Sequence, residues 1–166
     1  MPRKNTSRAR PPARRKKPEP KRKACSPALP MQRQFCFLGE GRHHDLRAIF
    51  DKLNARYFRN SLRGYTVTWG RKRRLRPKVY FIFGTIQEED RVIRIHPLLD
   101  AGWVPRWFLE FVLYHEMLHS VVPDIYDPKR GRRIVHTSAF LKREQRFPHY
   151  NRARRWEADN LARFLR

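Results

Sequence analysis

Cysteine is nearly missing from this sequence. Cys25 and Cys36 are its only two, too few for a disulfide framework and without the CxxC spacing of a zinc ribbon or knuckle. A reducing compartment is the simpler setting for such a chain. Long apolar runs are missing as well: no stretch reaches the roughly 18 apolar residues of a membrane-spanning helix, and no apolar segment follows the basic N-terminus as it would in a signal peptide. The expectation is a soluble, intracellular protein, cytoplasmic or nucleoid-associated, or nuclear in a eukaryote. Acidic residues are scarce too, with 15 Asp and Glu against 39 Lys and Arg, for a formal net charge of +24. A field of that sign favours polyanionic partners such as DNA, RNA or acidic membrane surfaces and carries no information about the fold.

What is present suits one folded unit. The chain has 166 residues, 40% of them hydrophobic and 33% charged, enough for a single domain with its own core. Residues 1–34 are rich in Lys, Arg and Pro with almost nothing bulky to bury, and are expected to form a disordered basic tail. From Phe35 the apolar residues become regular, so the folded domain is placed at 35–166.

Leu46, Ile49, Phe50, Leu53 and Tyr57 recur at three- and four-residue spacing, which predicts a helix over 45–58 closed by Asn60 and Gly64. Tyr65, Val67 and Trp69 alternate with threonines as in a strand with one buried face. The run 79–83 is apolar throughout and continues to Ile86, as expected for a central strand covered on both faces. Segment 91–96 alternates again and reads as an outer strand. Pro105 suits the first turn of a helix, and the apolar stretch 107–122 is too long for a strand. A Pro-, Asp-, Gly- and Arg-rich loop over 123–133 precedes helices over 137–147 and 151–164, the last with Trp156, Leu161 and Phe164 inward. The expected class is α+β: a helix, a three-stranded sheet, the apolar helix and two further helices.

Within the apolar helix lies His115-Glu116-Met117-Leu118-His119, the HExxH pattern. Residues four apart stand one turn apart on the same helix face, so both imidazoles reach one metal ion. Glu116 lies about 60° round from His119, where a carboxylate can take a proton from water at the metal, while Met117 and Leu118 turn to the core. The alternative is a pair of core histidines satisfied by hydrogen bonds, but two histidines and a glutamate inside an apolar helix are otherwise costly to bury.

A catalytic zinc needs a third protein ligand and a fourth position left for water. His136 and Glu144 are the candidates. His136 is favoured, because it opens the helix after the loop and Phe140, one turn on, anchors that turn. Glu144 would then hydrogen-bond a ligand histidine. His43, His44 and His149 at helix ends and His96 at a strand end read as solvated or capping residues.

The runs LNARYFRNSL, FIFGTI, RIHPLLD, VPRWFLEFVLYHEMLH and GRRIVHTSAF together resemble the SprT-like metallopeptidase family, which includes the Spartan-type proteases. The resemblance spans about 46–147. It implies a small zincin-like α+β domain, zinc held by His115, His119 and His136, and a catalytic Glu116. The best-known members cleave proteins crosslinked to DNA. Many members also carry a zinc ribbon after the catalytic domain, and this chain has no such cysteines.

The function expected is hydrolysis of peptide bonds in protein substrates, with DNA as a non-specific partner. The tail and the cluster Arg71, Lys72, Arg73, Arg74, Arg76 and Lys78 would contact phosphates, and Arg152–Arg155 forms a further basic group. The outer strand 91–96 would serve as the sheet edge for an extended substrate. Tyr126, Arg133 and Tyr150 are the candidates for stabilising the oxyanion. Two alternatives remain: a nucleic-acid-binding protein with a structural or inactive zinc site, and a peptidase independent of DNA.

Overall fold

The structure is a computed structural model that describes residues 39–71 and 81–165. The basic tail 1–34, the start of the domain at Phe35 and positions 72–78 of the basic cluster lie outside the described residues. Helix α1 (Leu46–Phe58) leads into strands β1 (Thr66–Trp69), β2 (Gly84–Gln87) and β3 (Val92–Ile95). A 3-10 turn (Pro97–Leu99) then leads to α2 (Arg106–His119). The hairpin strands β4 (Ile125–Asp127) and β5 (Arg132–Ile134) precede α3 (Ser138–Glu144) and α4 (Tyr150–Phe164). The class is α+β, as expected. Among the described residues no helix is long and apolar enough to cross a membrane.

Local chemistry sets the ends of α1. The Asp45 carboxylate accepts from the backbone N–H groups of Arg47 and Ala48 at 2.8 and 3.1 Å, satisfying donors that no preceding turn reaches. At the other end Arg59 and Asn60 both adopt positive φ, so the helix closes one residue earlier than Asn60 alone implied. Buried Asn54 then pins the exit, donating to Leu62 O and accepting from Leu62 N.

The sheet order is β1-β3-β2, with β3 parallel to β1 and antiparallel to β2. This reverses the expected placement: 91–96 supplies the central strand, and Gly84–Gln87 lies at an edge. The reason is that side-chain alternation reports which face is covered, not which strand has two neighbours. Val67, Ile93 and Ile95 are buried on one face. Thr85 and Gln87 are exposed on the other, while Thr68 and Arg94 there are half-buried, so the sheet is packed on one side only. Phe81 and Phe83 do not enter the strand. Their rings pack on Phe164 of α4 at 5.0 and 5.2 Å, which accounts for the aromatic residues at these two positions, while Ile82 between them is exposed and 79–80 lie outside the described residues.

Helix α2 runs through the middle of the core. Phe108, Leu109, Leu113 and Met117 are fully buried, and α2 contacts α1, β2, β3, α3 and α4. Pro105 stands at its N-cap, and the helix ends at His119 rather than at residue 122. The predicted loop 123–133 contains the β4–β5 hairpin instead, pairing Ile125 with Ile134 and Tyr126 with Arg133. Its side chains are mostly exposed, so no buried periodicity marked it. Trp156 and Leu161 are only half-buried, whereas Phe164 is inward as expected.

Candidate metal centre

The helical spacing brings His115 and His119 together, with Nε2 atoms 3.3 Å apart. His136, just before the N-cap of α3, places its Nε2 3.2 Å from that of His115. One nitrogen from each ring lies within 4.8 Å of the others. Lone pairs converging in this way repel unless a cation stands between them. A tetrahedral ion with metal–nitrogen bonds of about 2.0–2.1 Å sets its ligand atoms roughly 3.3–3.4 Å apart, close to these two spacings of 3.3 and 3.2 Å. These three histidines can hold a metal ion.

The cluster is built on a rigid base. Phe140, fully buried on α3, lies under all three imidazoles, with ring centroids 4.5–5.1 Å away. Thr137 caps α3 through a 3.2 Å bond from Phe140 N to its Oγ1, which holds the turn that carries His136. The Tyr114 hydroxyl donates to Arg143 O at 2.9 Å and ties α2 to α3. Glu144, itself buried, meets His115 Nδ1 at 2.6 Å. A carboxylate only accepts, so the proton sits on Nδ1 and the Nε2 lone pair is left for a metal. Glu144 therefore orients a candidate ligand and stands outside the cluster of three.

Burial also sets the protonation states. It pulls His119 down to about 4, helped by the neighbouring His115 and His136, and lowers His136, with His115 adding to the effect. Both rings are neutral near pH 7, the form that ligates. Glu116 is pushed up to about 7 by burial, against the pull of His115. A carboxyl group with that value exchanges protons readily at neutral pH. A divalent cation at the histidines would draw it down again.

Gly84 explains how Glu116 fits. A Cβ at position 84 would lie 2.7 Å from Glu116 Oε1 and 2.8 Å from its Cγ, closer than side chains tolerate. The carboxylate therefore lies against the bare backbone of the β2 edge.

Two clefts open here. One, of about 450 Å³, is bounded by Gly84, His115, Glu116 and His119 on one side and by Arg132, Arg133 and Ile134 of the hairpin on the other, with Val135 and His136 following the hairpin. The second, of about 290 Å³, has Phe81, Ile82, Phe83, Phe108, Phe111 and Val112 in its lining, together with His115, Glu116, His136 and, from α4, Arg154 and Glu157.

Several expected site residues are separated from this place. Arg133 lines the first cleft, but Tyr126 lies in a neighbouring one with Glu88, Glu89 and Asp124. Tyr150 packs on Phe111 and lines neither metal cleft. His96 Nδ1 accepts from Leu98 N and caps the 3-10 turn. His43 and His44 donate their backbone N–H groups to Asp100. His44 departs from the expectation of a solvated ring, because its Nε2 is buried with no partner among the described residues. His149 precedes α4 without a side-chain capping bond. Gly84 and Glu157 were not singled out from the sequence, and Arg154 only as part of the basic group Arg152–Arg155. A glycine inside a strand pattern was a usable sign of close approach, whereas Arg154 and Glu157 were concealed in a basic helix. No family model, curated protein or solved structure matches the chain.

Proposed function

We propose that this chain is a zinc metallopeptidase of the SprT-like kind, with a zincin-like fold, that hydrolyses peptide bonds. The observation that carries the reading is the convergence of three imidazole nitrogens beside a buried glutamate held against the bare backbone of a sheet edge. A purely structural site has no use for such a base. The all-nitrogen donor set suits zinc.

His115, His119 and His136 would hold the ion, and Glu144 keeps His115 in the required tautomer. A zinc ion there supplies Lewis acidity, lowering the pKa of water and polarising the scissile carbonyl. Glu116 accepts a proton from the attacking water and returns it to the leaving nitrogen. An extended substrate would pair with the exposed β2 edge, in place of the strand 91–96, which is occupied on both sides. The charge of +24 supports DNA as a partner, through residues 1–34 and 71–78, and hence substrates that are bound or crosslinked to DNA.

The test is to measure bound metal and then incubate the protein with an unfolded or DNA-binding protein, with and without chelator and DNA. Chelator-sensitive cleavage is expected, faster with DNA, which raises the effective concentration of a DNA-bound substrate. Neutralising about five phosphates gives a log–log salt slope of roughly −4 to −5 for DNA binding, flattened by removing residues 1–34. Cleavage indifferent to DNA favours the DNA-independent peptidase. Metal without cleavage favours a structural site.

A further inference from the structure

The peptidase reading leaves the oxyanion without a partner from the protein. When the oxygen of water adds to the scissile carbonyl carbon and a water proton passes to Glu116, the carbonyl electron pair moves onto oxygen. The C–N bond then breaks, the pair re-forms the carbonyl, and the proton on Glu116 passes to the departing nitrogen. A donor fixed in advance at that oxygen lowers the barrier most.

We infer that Arg154 of α4, aimed by Glu157, is this donor. The inference rests on the peptidase reading. Arg154 shares the second cleft with Glu116 and His136. Its Nη1 bonds Glu157 Oε2 at 2.7 Å. A guanidinium has five N–H donors, so this bond leaves others for a substrate oxygen.

The backbone that carries the pair is firmly seated. Ala153 and Phe164 are fully buried, and the Trp156 ring lies 4.2 Å from that of Phe108 at the cleft wall. Arg154 is exposed, with 55% of its side chain accessible, as are Arg132 and Arg133 on the hairpin; what distinguishes Arg154 is its ion pair with Glu157, which neither hairpin arginine has among the described residues.

The experiment uses the zinc-loaded full chain and a capped phosphinic tetrapeptide, whose anionic phosphorus centre mimics the tetrahedral adduct. Arg154→Ala should retain zinc, lower kcat by about a hundredfold with KM nearly unchanged, and weaken phosphinate binding by a similar factor. Arg154→Lys should recover part of both. Glu157→Gln should lower kcat about tenfold, and have no further effect once Arg154 is alanine, which a merely structural role of Glu157 would not produce. Arg154→Ala with kcat and phosphinate affinity within about twofold of the parent overturns the inference. A rise in KM alone also overturns it, since that marks a ground-state clamp. Glu116→Gln is the control. An active parent silenced by Glu116→Gln but indifferent to Arg154→Ala sinks only the role of Arg154, whereas an inactive parent sinks the peptidase reading and this inference together.

Discussion

The two walls of the first cleft are built differently. On the helical side, His115 and His119 of α2 stand against fully buried Phe140, with Glu144 behind His115. On the hairpin side, Arg132 and Arg133 are exposed and Ile134 is half-buried, and the turn before them rests on Asp127 accepting from Lys129 N and Arg130 N. One wall has rotamers locked by packing and the other is free to adjust. Metal ligation needs angstrom-level placement, while binding varied peptides needs a surface that accommodates them. The comparison teaches that metal and base should depend on the helical wall, and substrate fit on the hairpin.

Breaking the helical wall should have the largest effects. Glu116→Gln is expected to retain metal and fold but lower hydrolysis by a hundredfold or more; steady-state rates beside metal analysis decide it, and near-parental activity would falsify the assignment of the base. The same variant has a signature without metal. The Glu116 carboxyl group, raised from 4.5 to about 7 in the fold, binds its proton more tightly folded than unfolded. Its stabilising effect is therefore complete below about 4.5 and is lost as pH rises through 7. Metal-free Glu116→Gln should be more stable than the parent at pH 8, by on the order of 3 kcal/mol, and the difference should vanish by pH 4. Urea unfolding at the two values measures it, and equal stability at both would show that the burial cost is relieved elsewhere.

Next in size, Glu144→Gln should weaken metal affinity about 10- to 100-fold by loosening His115, as read by competition with a chelator. Unchanged affinity would mean that packing on Phe140 orients the ring unaided. Gly84→Ala should displace Glu116 and lower kcat by about tenfold with metal retained; an active alanine variant would show that the carboxylate has room to shift. The smallest effect tests the other wall. Arg133→Ala should leave metal content and kcat within about twofold and move KM alone, and loss of metal there would erase the distinction between the walls.

Much of this was legible in the residues themselves. Helices α1 and α4 show a 3.6-residue apolar period because each buries one face, α2 was legible as an apolar stretch too long for a strand and is buried nearly all round, and His115 and His119 share a face through helical geometry alone. The placement of His136 near them followed from Phe140 one turn on, and the structure brings the three together. Strand order was not legible. Ile93 and Ile95 alternate with Arg94 wherever β3 sits in a sheet covered on one side, because lateral hydrogen bonds use backbone atoms that all residues share. The aromatic run ending at Phe83 looked like a central strand because packing on Phe164 needs the same apolar rings. The hairpin buries too little to leave a pattern.

The amino-acid sequence by itself determined which faces are apolar, where an HExxH pair faces one way, and how strongly positive the chain is, since periodicity and charge are properties of neighbours along the chain. Only the tertiary structure decided that Glu116 lies against Gly84, that Glu144 holds His115, and that Arg154 and Glu157 border the same cleft. Those meetings join residues far apart along the chain, as His115 and Glu144 are at a separation of 29. Nothing local encodes such a contact, because it depends on how whole elements pack around the core.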